Sequence, residues 1–258
     1  MIARGGRTLS AQEIERYSRQ LLLRELGEAG QLRLRQARAT LVGCGGLGVA
    51  AALYLGAAGV GSLRLVDFDV VALDNLNRQV AYATPDVGHP KAEVLAARVL
   101  SLNPTISVAH VRERVDSDNA AQVLADADLV LECSDDPELK FLINDRCAAA
   151  GLALVVGGAV GFQGQVVAVP EGAPCYRCLF GSPPAGATEN CRAAGVVGPL
   201  VGVIGALQAL EGLRLLAGLD QGLGGRLLDF DGLRGHWREV RFPRDPRCPA
   251  HEMAAAPR

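Results

Sequence analysis

The chain has 258 residues, 49% of them hydrophobic, with 26 basic against 28 acidic residues and a net charge of −2. That length can hold one large core or two intimate halves, and the balanced, interspersed charge offers neither a basic stripe for nucleic acid nor a polybasic membrane patch. The opening Met1-Ile-Ala-Arg-Gly-Gly-Arg7 lacks the apolar run of a secretory signal, and the seven cysteines, an odd number, point to reduced thiols or metal, so a cytoplasmic protein is expected.

Ser10-Ala-Gln-Glu13 is a capping-box pattern. It predicts a helix from Ala11 with Ile14, Tyr17 and Leu21 on one face and Arg16, Arg19 and Arg24 as solvated charges. Thr40-Leu-Val-Gly-Cys-Gly-Gly-Leu-Gly48 then reads as an apolar strand running into a glycine turn and an alanine-rich helix. Gly43, Gly45 and Gly48 have the spacing of a nucleotide-binding loop, in which a tight turn leaves N–H groups at a helix N-terminus facing a phosphate. Ser62-Leu-Arg-Leu-Val-Asp67 follows as a second strand ending in an acid placed to hold ribose hydroxyls. Residues 39–63 and 193–207 carry no charge, but glycines interrupt both, and they read as buried α/β core rather than membrane spans.

Asp69 to Gln79 is a polar, irregular segment, and Lys91 opens a helix running to about Leu102 with Val94, Leu95, Val99 and Leu102 at helical spacing. Lys91 and Lys140 are the two lysines of the chain. A compact ammonium kept at Lys91 in so arginine-rich a sequence suits a phosphate at the end of a pocket. A strand over 106–111 and a helix over 116–125 precede Ala127-Asp-Leu-Val-Leu-Glu-Cys-Ser-Asp135, a buried parallel strand whose polar C-terminal end faces the same mouth as the glycine loop. Asp135 and Asp136 together favour a divalent metal between carboxylates and phosphates. Ser134 or Asp135 ahead of Pro137 also fits a helix N-cap.

A helix is expected over 141–150, and strands over 153–156 and 163–169 flank a small-residue turn, Gly157-Gly-Ala-Val-Gly161. Cys175-Tyr-Arg-Cys178, following a strand and preceding a loop, and Cys248-Pro-Ala-His251 have the paired spacing of a structural tetrahedral zinc site that would staple the C-terminal tail to the core. A long helix is expected from about Pro199 to Ala217.

Taken together, Arg16-Tyr-Ser-Arg-Gln20, the glycine loop, Asp67-Phe-Asp69, Asn75-Leu-Asn-Arg-Gln79, Pro90-Lys91, Cys133-Ser-Asp135, Cys175-Tyr-Arg-Cys178, Asn190-Cys-Arg192, Ala194-Gly-Val-Val-Gly-Pro199 and Cys248 resemble the ThiF/MoeB/HesA family, the bacterial relatives of ubiquitin-activating enzymes. The resemblance implies a Rossmann-like, mainly parallel α/β sheet with helices on both faces, continued by a C-terminal β region stapled by zinc. It implies ATP and Mg2+, and adenylation of the C-terminal Gly-Gly carboxylate of a ubiquitin-like sulfur carrier protein with release of pyrophosphate.

Carried over by position, Gly43, Gly45, Gly46 and Gly48 would line the nucleotide loop, Asp67 would hold the ribose beside Asp69, and Arg78 and Lys91 would grip the phosphates with Asn75. Asp135 would hold magnesium, and Arg19 would reach a neighbouring subunit's ATP site, implying a homodimer with residues 1–27 as an exchanged arm and residues 28–251 as one adenylation domain before a tail, 252–258. Cys191 stands where part of the family has a reactive thiol. The pattern departs at His251, where the family usually has a fourth cysteine, at Asp136, where it usually has asparagine, and at Asn77, where it usually has glutamine. No rhodanese-like stretch follows His251, so a separate sulfur donor, a cysteine desulfurase or a rhodanese, is expected. The glycine loop and Asp67 alone would also permit an NAD(P)-dependent oxidoreductase, and a non-catalytic, carrier-binding family member is the other alternative.

Overall fold

In a computed structural model, which describes residues 8–183, 195–219 and 224–251, the run Arg38–Val42 forms the central strand β1. It lies parallel between β2 (Ser62–Val66) and β4 (Leu129–Glu132). β3 (Ser107–Val111) flanks β2 and β5 (Ala153–Val160) flanks β4, both also parallel. Three antiparallel strands, β6 (Gln163–Val169), β7 (Arg226–Asp231) and β8 (His236–Arg241), continue the sheet to give the order β3-β2-β1-β4-β5-β6-β7-β8. The chain reverses its direction of travel across the sheet between β1 and β4, where open α/β sheets bind ligands. The outermost strand carries Trp237, 43% exposed and stacked on Phe230 at 4.3 Å between ring centroids.

Both faces of the parallel part are covered, which is why β1 and β4 are buried almost end to end rather than on alternate residues. Leu41, Leu65, Leu131 and Val155 pack into one core with α3 (Gly27–Gln36), α4 (Gly46–Ala57), α5 (Lys91–Leu102) and α9 (Gly198–Leu216). Val42, Val66, Val130 and Val156 face a second core with α6 (Ala120–Val123), α7 (Pro137–Ala150) and α8 (Tyr176–Phe180). α9 is the one helix among the described residues long and apolar enough to cross a membrane. Here Leu200, Ile204 and Gln208 are buried against the sheet, and the Gln208 amide donates to the Glu132 carbonyl at 2.9 Å.

The expected first helix is two short ones, α1 (Ala11–Arg16) and α2 (Ser18–Leu21), broken at Tyr17. Ile14 stays half exposed, while Tyr17 is buried and its hydroxyl accepts from Asn103 Nδ2 at 2.9 Å. Tyr17 fits because Gly59 has no side chain: a Cβ there would lie 2.5 Å from the Tyr17 ring. The helix expected over 116–125 shrinks to α6, because Asp116 and Asn119 bond each other's backbone N–H groups and compete with helix formation. α7 begins four residues earlier than expected, at Pro137. Gly157-Gly-Ala-Val160 is not a turn but the end of β5, and the hairpin reverses at Gly161 (φ 58°) and Phe162. Gly157 serves close packing: a Cβ there would lie 2.3 Å from the Gln208 amide.

Candidate active site

β1 ends at the glycine loop, and the loop is the hub of the site. Gly43 takes φ 96°, and a Cβ on it would lie 2.9 Å from Cys133 C and Ser134 N at the end of β4. A Cβ on Gly48 would lie 1.9 Å from the Gly43 carbonyl oxygen, and one on Gly46 would meet Val201 of α9 at 2.6 Å. Those three glycines are therefore required by the packing of the loop itself. Gly45 differs, since a Cβ there would find only the Gln79 amide at 3.8 Å. Open space at Gly45, the N-cap of α4, leaves the first-turn N–H groups of that helix available to an anion.

Asp67, just beyond β2, ties the loop down. Its Oδ2 accepts from the Cys44 N–H at 2.7 Å and its Oδ1 from the Asp69 N–H at 2.8 Å. Burial raises its pKa, against those two N–H bonds and the charge of Lys91. Each carboxylate oxygen retains a second acceptor site. Lys91 is buried at the first position of α5, and its Nζ donates to the half-exposed Asp69 carboxylate at 3.1 Å. The buried Tyr82 hydroxyl donates to the Cys44 carbonyl at 2.8 Å and to the Lys91 carbonyl at 3.3 Å, so one side chain joins loop and lysine.

Arg78 meets the loop through its backbone: its carbonyl oxygen would lie 3.1 Å from a Cβ on Gly46. Its guanidinium donates to the Asp74 carbonyl at 2.7 Å and to Asn77 Oδ1 at 3.3 Å. Asn75 is buried and turns the chain, accepting from the Ala72 N–H and donating to Asp74. Beyond β4, neither Ser134 nor Asp135 caps α7. Asp136 does, its Oδ1 accepting from the Glu138 and Leu139 N–H groups at 3.0 and 3.4 Å. With that task taken by its neighbour, Asp135 is left exposed.

Arg19 is exposed on α2 and is not part of this cluster within one chain. Gln20 beside it donates to the Ala58 carbonyl at 3.1 Å, at the C-cap of α4. The glycine loop sits at the other end of that 12-residue helix, roughly 18 Å away at 1.5 Å per residue. Cys191 lies outside the described residues.

On the opposite face, Cys175, Cys178, Cys248 and His251 place one ligand atom each within 4.8 Å of one another. The sulfur of Cys175 is 3.8 Å from that of Cys178 and 3.7 Å from that of Cys248, and Cys178 Sγ is 3.4 Å from His251 Nε2. A tetrahedron with Zn–S bonds of about 2.3 Å has S–S edges of ~3.8 Å, so the donor set fits zinc in type and spacing. Asn144 donates to Cys175 Sγ at 3.6 Å, the kind of outer contact that orients a ligand. Cys175 is the N-cap of α8, so the Cys-x-x-Cys pair opens a short helix where a loop was expected. Its partners are the tail residues Cys248 and His251.

Sequence reasoning passed over Tyr82 and also Lys140, which is buried on α7 against Glu132. Lys140 carried the same signal as Lys91, being the only other lysine in the chain.

A family model described as the ThiF family matches residues 17–250. The chain is 44% identical over 245 residues to the sulfur carrier protein adenylyltransferase of Thermus thermophilus, covering 92% of this chain and 90% of that protein. It is 41% identical over 248 residues to the molybdopterin-synthase adenylyltransferase of Escherichia coli, covering 93% and 97%. It is also 44% identical over 244 residues to the adenylyltransferase and sulfurtransferase MOCS3 of Caenorhabditis briggsae, where it covers 93% of this chain and spans 61% of that longer protein. The crystal structure of E. coli MccB with MccA-N7isoASN has the same fold, with a TM-score of 0.80 at 24% identity over 92% of this chain and 74% of that one. The family match takes in every described strand and the whole site around Gly45, and the chain belongs to the ThiF family.

Proposed function

We infer that the protein is an ATP-dependent adenylyltransferase that activates the C-terminal Gly-Gly carboxylate of a ubiquitin-like sulfur carrier protein, for thiamin or molybdopterin synthesis or for tRNA thiolation. One observation carries this reading: Asp67, the Cys133–Ser134 backbone and the Arg78 backbone all meet the glycine loop around its one open position, Gly45. That arrangement occurs in a chain 41–44% identical to named adenylyltransferases.

The nucleotide phosphates would rest on the N-terminus of α4 at Gly45, with the ribose on Asp67. Lys91 would exchange Asp69 for a phosphate, and Arg78 would add a second positive group. Asp135, an exposed carboxylate at this mouth, is the residue fitted to hold Mg2+, which neutralises triphosphate charge when bound. The carrier's carboxylate is already ionised at neutral pH and needs no general base. Its oxygen bonds to the α-phosphorus, the bond from that phosphorus to the bridging oxygen breaks, and pyrophosphate leaves. Catalysis is then positioning and charge neutralisation.

Arg19 is proposed to complete the site of a second copy. Its helix is anchored at the end of α4 remote from its own glycine loop, which supports a homodimer with sites shared across the interface. Zinc is proposed at Cys175, Cys178, Cys248 and His251, and Cys191 as the thiol of a later sulfur-transfer step fed by a cysteine desulfurase or a rhodanese. The setting is proposed to be cytoplasmic.

The test is exchange of labelled pyrophosphate into ATP by the purified protein with each available Gly-Gly-ended carrier. Exchange with at least one carrier is expected. Binding of NAD in place of ATP, or no exchange with any carrier, would overturn the reading.

A further inference from the structure

The loop that presents Asp135 is held from below by a buried ion pair. Glu132, fully buried at the end of β4, and Lys140, 7% exposed on α7, bond directly through Oε2 and Nζ. The other two Nζ–H groups of Lys140 donate to the Ser134 carbonyl at 2.7 Å and to the Gly157 carbonyl at 2.8 Å, so all three of its donors are used. The second oxygen of Glu132 accepts from the Ser134 N–H at 2.9 Å and from the Ser134 hydroxyl. That hydroxyl in turn accepts from the Asp136 N–H at 3.3 Å. From above the sheet, Gln208 of α9 bonds the Glu132 carbonyl at 2.9 Å. Both chain neighbours of Asp135 are therefore fixed, Ser134 by the ion pair and Asp136 by its cap, while Asp135 itself faces solvent.

Two charges taken out of water are a poor source of net stability, and apolar residues of similar volume often serve a core as well or better. What this pair does that apolar residues could not is pin the N–H, carbonyl and hydroxyl of one particular residue. We propose that Glu132 and Lys140 are positioning residues for Asp135, a buried clamp that holds the carboxylate in place for the divalent cation at the nucleotide mouth. The proposal rests on the nucleotide site inferred above. It assigns no contact with ATP to either residue: their effect passes through Ser134 and should be felt as metal affinity. Groups of this outer kind alter metal affinity by about 10- to 100-fold when removed.

The test uses two variants of the full chain, Lys140→Met and the double variant Glu132→Leu with Lys140→Met. The double variant leaves no unpaired buried charge and stays informative if the single one does not fold. Three quantities are read: amide hydrogen exchange over residues 133–136, ATP affinity by calorimetry without metal, and the Mg2+ concentration needed to saturate ATP binding and pyrophosphate exchange. The expected result for the double variant is faster amide exchange at 133–136, unchanged metal-free ATP affinity, and a Mg2+ requirement raised about 10- to 100-fold. An unchanged Mg2+ requirement would overturn the proposal, and so would an equal loss of metal-free ATP affinity, the mark of general disruption. Failure of the wild-type protein to bind ATP at all would instead reject the underlying reading, while amide exchange would still report whether the clamp fixes the loop.

Discussion

The two lysines of the chain sit on either side of the glycine loop, and each is paired with a carboxylate, yet the two pairs are built for different tasks. Lys91 meets Asp69 at 3.1 Å, and the Asp69 side chain is 50% exposed. Lys140 meets Glu132, whose side chain is 0% exposed, and spends its remaining donors on two carbonyls. The first partner can be exchanged for an incoming anion at little cost, because water takes over the released carboxylate. The second cannot be exchanged, because any departure strands a charge in the core. Exposure of the acid, rather than the identity of the lysine, separates a group that can grip a substrate from one that serves as framework.

Experiments can break or sharpen this contrast. The largest effect should come from a perturbation that spares both pairs: removing, with a chelator, the zinc proposed at Cys175, Cys178, Cys248 and His251. Structural zinc contributes on the order of 10 kcal/mol to small domains. The thermal midpoint should drop and the Cys248–His251 segment should become sensitive to protease, while metal-free ATP affinity stays near that of the holoprotein. Next, Lys140→Met should cost about 3–5 kcal/mol in urea unfolding because Glu132 is left buried and unpaired. Lys91→Met should cost less than about 1 kcal/mol, since Asp69 can be solvated. Equal losses in the two would erase the distinction.

In pyrophosphate exchange the order should reverse if Lys91 grips phosphate as proposed: Lys91→Met is expected to lose about 10²–10³-fold in rate, as for removal of a preorganised electrostatic contact. A rate within a few-fold of wild type would remove Lys91 from the chemistry. The smallest effect belongs to a surface pair. Asp86 is held below the usual carboxylate range by the Ala83 N–H first and by Arg98 as well, against slight desolvation. Its contribution is therefore present above the ordinary carboxylate pKa and is lost as pH falls through the lowered one. Asp86→Asn should cost a few tenths of a kcal/mol at neutral pH and leave stability at acid pH, where the contribution is already gone, nearly unchanged, so that the acid side of the profile flattens.

Much of this was legible in the sequence. The run into Gly43, the acid at Asp67, the helix opened by Lys91, the long helix now seen as Gly198–Leu216 and the zinc-type quartet each follow from spacing or periodicity that local physics enforces. Other features depend on what lies across the core. Asp135 and Asp136 are identical neighbours, and only the backbone direction at the end of β4 decides that the second caps α7 and the first is left open. Gly157 looked like part of a turn because its packing against Gln208, 51 residues away, leaves no local trace. Glu132 ended an apolar strand as an ordinary polar residue would, and its burial needs Lys140 from the next helix. The break at Tyr17 likewise depends on the gap left by Gly59.

The stacked Trp237 on the last strand has a practical side. It is the only tryptophan in the chain and lies half open on the rim of the sheet, well removed in topology from β1 and the glycine loop. Excited selectively, it makes the protein its own optical probe. A protein settling on that rim would alter its emission without any dye attached, whereas occupation of the pocket alone would leave the spectrum largely as it was.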